Sequence, residues 1–253
     1  MKSYLPYLIL GLILVGFAAQ ARGTGTSASV SATPCTSSCP MPAMPGMPQM
    51  QGMSVPAGPA EMTMGPHMKM LHSSAHPTQQ DLARADAILA ALRATMARYQ
   101  DYRIAERDGY VQFLAQVPQP IYHFTNWTNA KEALAGFDPA KPTSLMYKTV
   151  PGGYQLVGAM YTAPASASLA DLNARVPLTV GTWHEHVNVC FPPPGMGWLM
   201  LMPHAKYGLA GSIATSDACA AAGGSFKPLI FNWMLHVWPY ETSQPSIWKA
   251  TTD

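Results

Sequence analysis

Apolar residues recur at helical spacing in one segment of the chain and at alternating positions in several later ones. Between Gln79 and Arg107, apolar side chains return every three or four residues, which predicts one long amphipathic helix. Thr78 precedes this helix as a candidate N-cap, and Asp108-Gly109 follows it as a stop signal. Met96 lies on the apolar stripe and is therefore expected in the core.

Beyond Gly109 the pattern changes to short segments that are typical of strands. Two of them, 144–150 and 154–161, flank Pro151-Gly152-Gly153, which predicts a β-hairpin. Further strands are predicted at 180–190, 197–202 and 229–238, and short helical turns at 169–174 and 217–222. This order predicts an α+β domain over residues 78–253, with the long N-terminal helix packed on a mostly antiparallel sheet or a small barrel.

The first 21 residues have the pattern of an export signal. Lys2 is a basic start, Leu5 to Ala18 form an apolar core, and Ala19-Gln20-Ala21 is a small-residue cleavage site. The apolar core is shorter than the ~20 residues that a membrane span requires. We therefore expect cleavage, no stable membrane span in the mature chain, and a periplasmic or secreted location. An uncleaved anchor is the alternative.

Residues 22–77 contain few side chains that a core would bury, which predicts a disordered arm. Nine methionines and two of the three histidines in this arm are candidate copper ligands: Met41, Met44, Met47, Met50, Met53, Met62, Met64, Met68, Met70, His67 and His72. The first five methionines are spaced by three, so they would line one edge of a polyproline II rod. Because thioethers favour Cu(I), the arm is predicted to collect copper. A low-complexity linker is the alternative.

Composition excludes several classes of function. Charged residues are 11% of the chain and the net charge is +2, which gives no basic footprint for nucleic acid. The chain contains no Gly-rich phosphate loop, no Gly-x-Ser-x-Gly elbow and no His-Glu-x-x-His motif.

The segment Thr182–Cys190 carries the strongest chemical signal. If it is a strand, His184 and His186 lie on one face, and two such imidazoles can chelate one ion. His123 and His236 are also embedded in apolar or aromatic sequence. These four histidines are predicted to bind one metal ion, copper or alternatively zinc. The alternative is that each buried histidine only donates to a backbone carbonyl.

Two neighbours of the histidine pair also receive predicted roles. Asn188 shares the face of His184 and His186, so we expect it to hold a ligating ring by a hydrogen bond. Glu185 points to the opposite face, where a surface pairing with Arg175 or Lys206 is expected.

The four cysteines are expected to form disulfides, since exported chains meet an oxidising compartment. The simplest pairing joins Cys35 with Cys39 and Cys190 with Cys219. The alternative for Cys190 is a soft metal ligand beside the histidines.

Several short sequences occur in an order that resembles a group of uncharacterised exported bacterial proteins. They are Tyr99-Gln100-Asp101-Tyr102, Asp108-Gly109-Tyr110, Tyr122-His123-Phe124-Thr125-Asn126, Phe137-Asp138-Pro139, Leu145-Met146-Tyr147, Leu156-Val157-Gly158-Ala159 and His236-Val237-Trp238. The resemblance covers roughly residues 80 to 240. It implies an exported single domain that begins with a long helix, and it implies no activity.

The sequence thus predicts an exported protein that binds or buffers copper through a histidine cluster and a methionine-rich arm. A metalloenzyme, either a zinc hydrolase or a copper oxidoreductase, would use the same histidines with an open coordination position. A non-catalytic envelope protein with purely structural histidines is the third possibility.

Overall fold

A computed structural model of the protein describes residues 59–63 and 65–250, and for 59–63 it describes the backbone alone. The predicted signal peptide, the five regularly spaced methionines of the arm, Met64, and the predicted Cys35–Cys39 disulfide lie outside the described residues. Within the described part of the chain, no helix has the length and apolar character needed to cross a membrane.

Three helical pieces occupy the segment predicted as one helix. They are α1 (Gln79–Met96), a 3-10 turn (Ala97–Tyr99) and α2 (Tyr102–Arg107). Thr78 caps α1 as predicted, because its hydroxyl accepts from the Asp81 N–H while the Asp81 carboxylate accepts from the Thr78 N–H. The prediction of a continuous helix is wrong because Asp101 adopts an extended backbone and accepts from the Arg103 N–H, which starts a new helix.

In the described part of the chain, eight strands form one antiparallel sheet. They are β1 (Pro59–Thr63), β2 (Met68–Ser73), β3 (Tyr110–Gln112), β4 (Ile121–Asn126), β5 (Ser144–Val150), β6 (Gly153–Ala163), β7 (Trp183–Phe191) and β8 (Ser225–Val237). The order across the sheet is β1-β2-β7-β8-β6-β5-β4-β3. The α+β class is therefore confirmed, whereas the small-barrel alternative is wrong because β1 and β3 end an open sheet.

Four short helices complete the described fold: α3 (Trp127–Glu132), α4 (Leu169–Arg175), α5 (Ser216–Ala221) and α6 (Gln244–Ile247). The predicted hairpin is present as β5 and β6, and Gly152 has the positive φ of +86° that its turn requires. The strand predicted at 197–202 is wrong, since Gly197–Leu201 is a 3-10 helix. Trp198 and Leu201 in that helix are more than half exposed, whereas Leu199 and Met200 pack against the small cluster around Cys190 and Cys219.

The helices cover one face of the sheet and build the main core there. Met96 is fully buried in this core, as predicted, beside Leu92 and the strand residues Leu145 and Tyr147. Tyrosine hydroxyls in this layer reach backbone carbonyls; the Tyr147 hydroxyl, for example, donates to the Tyr99 carbonyl at 2.7 Å. The helix-covered face is thus an apolar core whose tyrosines are satisfied by hydrogen bonds.

The end of the predicted arm belongs to the sheet, so the prediction of a disordered arm is wrong for residues 59–63 and 68–73. β2 pairs with β7, and Leu71 is buried in the main core. His67, expected to collect copper, is buried instead, with Nε2 2.7 Å from the Gly211 carbonyl. Backbone pairing and the burial of Leu71 offset the entropy that ordering this segment costs.

The disulfide between Cys190 and Cys219 is confirmed. It joins β7 to α5 in a small apolar cluster with Tyr207. A β-carbon at Gly224 would lie 2.6 Å from the Cys190 sulfur, so only glycine allows this close approach. Because Cys190 is oxidised, its alternative role as a thiolate ligand is excluded in this state.

Candidate metal centre

The four predicted histidines converge on the face of the sheet opposite the main core. His123 lies on β4, His184 and His186 on β7, and His236 on β8. The ring centroids of His123 and His236 are 5.3 Å apart, those of His184 and His236 are 4.8 Å apart, and those of His184 and His186 are 5.6 Å apart. Residues from distant parts of the sequence therefore form one contiguous imidazole cluster.

Curvature of the sheet brings His123 to the other three rings. β4 and β8 are separated by β5 and β6, which in a flat sheet corresponds to roughly 14 Å at about 4.8 Å a strand. The Nε2 atoms of His123 and His236 are nevertheless only 3.3 Å apart. The histidine face must therefore be concave, which lets side chains from separated strands meet.

The hydrogen bonds of His236 define which of its ring nitrogens carries the lone pair that a metal would use. Its Nδ1 lies 2.7 Å from the Ala250 carbonyl oxygen, and since a carbonyl only accepts, Nδ1 carries the proton. Nε2 of the neutral ring then has the lone pair, and without a metal it accepts from the Nε2–H of His123. Holding the far nitrogen of a histidine by a backbone carbonyl is the arrangement that orients histidine ligands in metal sites.

His184 and His186 complete the cluster with different surroundings. His184 is 1% exposed, and its Nδ1 is a buried atom without a hydrogen-bond partner among the described residues. An unpaired buried polar atom costs free energy, so this nitrogen is a candidate ligand atom. His186 is only partly buried, and its ring centroid lies 5.6 Å from that of His184.

Burial keeps all four histidines neutral at ordinary pH. It lowers the pKa of His123 to about 3 and that of His236 to about 4, with smaller contributions from neighbouring histidines. The pKa of His184 is lowered well below its usual value by the same causes, and burial also lowers that of His186. Neutral imidazole is the form that binds metals.

A bulge between β7 and β8 sits beside the cluster. His184 pairs with Met234 and His186 pairs with Ile230, so β8 contains two residues more than β7 between these pairs. Phe231 lies within this bulge with a φ of +67°, and its half-exposed ring is 6.1 Å from that of His186. Positive φ in a bulky residue is strained, and such bulges commonly occur near functional sites.

The roles predicted for the two neighbouring residues are wrong. The Asn188 side-chain amide donates to the Pro66 carbonyl at 3.4 Å instead of to a histidine ring, because a φ of +57° interrupts the strand's alternation there. Glu185 does face away from the histidines' side, but it is 5% exposed and its carboxylate lies 4.0 Å from Lys69, the residue opposite it on β2.

The histidine nitrogens do not have the arrangement of a complete metal site. Among the described residues, no group of three or more His, Cys, Asp or Glu side chains is positioned to hold an ion. The His123–His236 pair has the nitrogen separation of ~3–4 Å expected for two ligands with bonds of about 2 Å. Coordination by three histidines therefore requires His184 or His186 to change its ring orientation.

Several methionines on this face were not identified as site residues from the sequence. Met146, Met160 and Met234 are buried together with Trp238 in a cluster separate from the main core. The spacing of two between Met234 and His236 is visible in the sequence and indicates a shared strand face. The strand pairing that brings Met146 and Met160 to the same place has no comparable local signal.

No protein-family model, curated protein or solved structure matches the chain. The chemistry of the site itself therefore carries the functional inference.

Proposed function

We propose that this is an exported protein that binds or buffers copper through His123, His184, His186 and His236. The observation that carries the proposal is the 3.3 Å approach of the His123 and His236 Nε2 atoms, with His236 fixed through Nδ1 by the Ala250 carbonyl. Imidazole nitrogen suits copper and also zinc. Bound copper would supply a redox-active or buffering centre, and the four histidines would hold it.

The electrostatic surroundings support metal binding over acid–base chemistry. In the described part of the chain, the ionisable groups that influence the pKa values of His123 and His184 are other histidines. A general base near pH 7 needs a pKa close to that pH, whereas burial lowers the pKa values of His123 and His236 to about 3 and about 4. Neutral rings without a carboxylate partner fit ligands better than proton carriers.

Export and the copper-collecting arm complete the proposal. The signal-like first 21 residues and the Cys190–Cys219 disulfide both favour an oxidising compartment. The methionines from Met41 to Met53 would capture Cu(I) and raise its concentration near the domain. Membership in the exported group named above is part of the same proposal.

Metal content after loading tests this proposal. The mature protein is loaded with Cu(I) under anaerobic, reductant-free conditions and then desalted. We expect it to retain a domain-bound ion that the His123→Ala/His236→Ala double variant loses. His204→Ala is the matched control, because His204 is an exposed histidine outside the cluster. Equal metal content in the wild type and the double variant would contradict the proposal.

A further inference from the structure

We infer that the domain site is a mixed imidazole–thioether site built for Cu(I), with Met70 and Met234 on either side of His184. This inference rests on the proposed function and names the ion and the additional ligands of the same site. It is carried by the pairing of histidines with methionines across neighbouring strands.

Each of the four histidines lies directly opposite a methionine. His123 pairs with Met146, His184 with both Met70 and Met234, His186 with Met68, and His236 with Met160. Directly opposed residues of antiparallel strands have their side chains on the same face, with β-carbons about 4.5–5.5 Å apart. Methionine is 17 of the 253 residues, so its presence opposite every histidine exceeds what composition alone would give.

The two faces of the sheet differ in their use of methionine. In the core beneath the helices, Met96 is the single methionine among the buried residues of the described part of the chain. On the histidine face, three of the four residues in the buried cluster are methionine, namely Met146, Met160 and Met234. Packing alone does not explain this contrast, because leucine fills similar volume at little cost.

The thioethers also supply what the nitrogen donors lack. No group of three nitrogen, thiolate or carboxylate ligands is assembled among the described residues, whereas thioether sulfur requires neither deprotonation nor a charged partner. Sulfur of methionine is a soft ligand that selects Cu(I) over Zn(II). With the His123–His236 pair, a methionine beside His184 would complete a ligand set on the concave face.

Met70 and Met234 are the methionines best placed to share a metal ion with His184. Both lie opposite His184, whose Nδ1 has no partner in the described structure. Met234 is 7% exposed and Met70 is half-buried, so Met234 is shielded from solvent and Met70 is partly accessible to it. This arrangement would let an ion enter past Met70 and remain shielded by Met234.

The test uses the full mature chain with the regularly spaced methionines of the arm replaced by leucine: Met41, Met44, Met47, Met50 and Met53. In this background we compare the parent with Met70→Leu/Met234→Leu. Cu(I) affinity is measured by competition with a chromophoric Cu(I) chelator, and Zn(II) affinity with a zinc-binding dye. Copper X-ray absorption reports directly whether sulfur is bound.

We expect the double substitution to weaken Cu(I) binding by about tenfold or more, equivalent to about 1.4 kcal/mol, and Zn(II) binding by less than about threefold. The sulfur signal in the copper absorption spectrum should also fall. Met96→Leu is the matched control, because Met96 is fully buried in the main core, and it should alter neither affinity. Thermal unfolding of each variant verifies that the fold is retained.

Two results would overturn the inference and have different meanings. If Met70→Leu/Met234→Leu binds Cu(I) as tightly as the parent while His123→Ala/His236→Ala does not bind, the site uses imidazole alone and the proposed function stands. If the parent binds no Cu(I), or the histidine substitutions leave binding unchanged, the proposed function fails and the mixed site fails with it.

Discussion

The two faces of the sheet differ in whether their buried polar side chains have hydrogen-bond partners. On the helix face, tyrosine hydroxyls donate to backbone carbonyls, as in the 2.6 Å bond from Tyr161 to Pro139. On the histidine face, His184 is as deeply buried, yet its Nδ1 has no partner among the described residues. A satisfied core specifies a fold, whereas buried imidazoles with free nitrogens cost stability and are explained best by a ligand.

One residue on the helix face, Trp183, is an exception to this difference. The indole nitrogen of Trp183, which is fully buried there, also lacks a partner in the described structure. Trp183 is part of a large apolar cluster, and the burial of its ring offsets the lost hydrogen bond. A small, polar imidazole has much less apolar surface, so the same compensation does not extend to His184.

The largest expected effect comes from opening the helix-covered core. Leu92→Ala should lower the free energy of unfolding by about 2–5 kcal/mol, because Leu92 is fully buried in the main cluster and the substitution leaves a cavity. Urea denaturation measures this loss. Leu169→Ala, at a 48% exposed leucine, is the control and should stay within about 0.5 kcal/mol. Similar losses for both substitutions would show that the core lies elsewhere.

Acidification should lower the stability of the metal-free protein mainly through the histidines of the cluster. Burial lowers the folded-state pKa of His123 and His236 to about 3 and about 4, below the unfolded value of about 6.5. The unfolded chain therefore binds more protons below pH 6.5, so stability is complete above that pH and decreases as the pH falls towards 4.

Each such histidine contributes at most about 1.4 kcal/mol per pH unit to this loss. Urea denaturation at pH 7, 6 and 5 measures it, and His123→Leu/His236→Leu should flatten the dependence. A double variant as acid-sensitive as the wild type would mean that other groups titrate on unfolding.

A smaller effect distinguishes partnered from unpartnered buried histidines. His184→Leu should raise the stability of the metal-free protein by about 1 kcal/mol, because it replaces an unsatisfied polar ring with an apolar side chain. His67→Leu should instead lower stability, since His67 is also buried but its Nε2 lies 2.7 Å from the Gly211 carbonyl. Thermal unfolding of both variants measures this contrast, and destabilisation by His184→Leu would mean that its ring already has a structural role.

Local sequence signals predicted the elements of this fold better than their pairing. The Thr78 cap, the hairpin around Gly152 and the alternation of His184 with His186 depend on residues close together in the sequence. The apolar period does not predict the break at Asp101, because the capping geometry there competes with a strong helical pattern. The sequence around β2 is polar and rich in methionine, and Leu71 is the one residue in it that suggests a buried strand. Leu71 is indeed buried, but the composition of the segment as a whole favours a disordered arm.

The candidate site was predictable as a set of residues but not as an arrangement. His123 and His236 stand out because apolar residues surround them, yet their contact depends on curvature over four strands, from β8 to β4. The carbonyl that fixes His236 belongs to Ala250, beyond the last strand, where no side-chain signal exists. Long-range pairing and backbone partners leave little trace in a single sequence.

The most direct test of the histidine site is the stability that Cu(I) adds to the fold. A site assembled from β4, β7 and β8 exists only in the folded protein, whereas ions that bind the folded and unfolded chain equally give no stabilisation. Urea denaturation with free Cu(I) at about 100 times the Kd should raise the free energy of unfolding of the wild type by about 2.7 kcal/mol, and that of His123→Ala/His236→Ala by much less. The absence of any gain in the wild type, or an equal gain in the variant, would contradict a metal centre on this face.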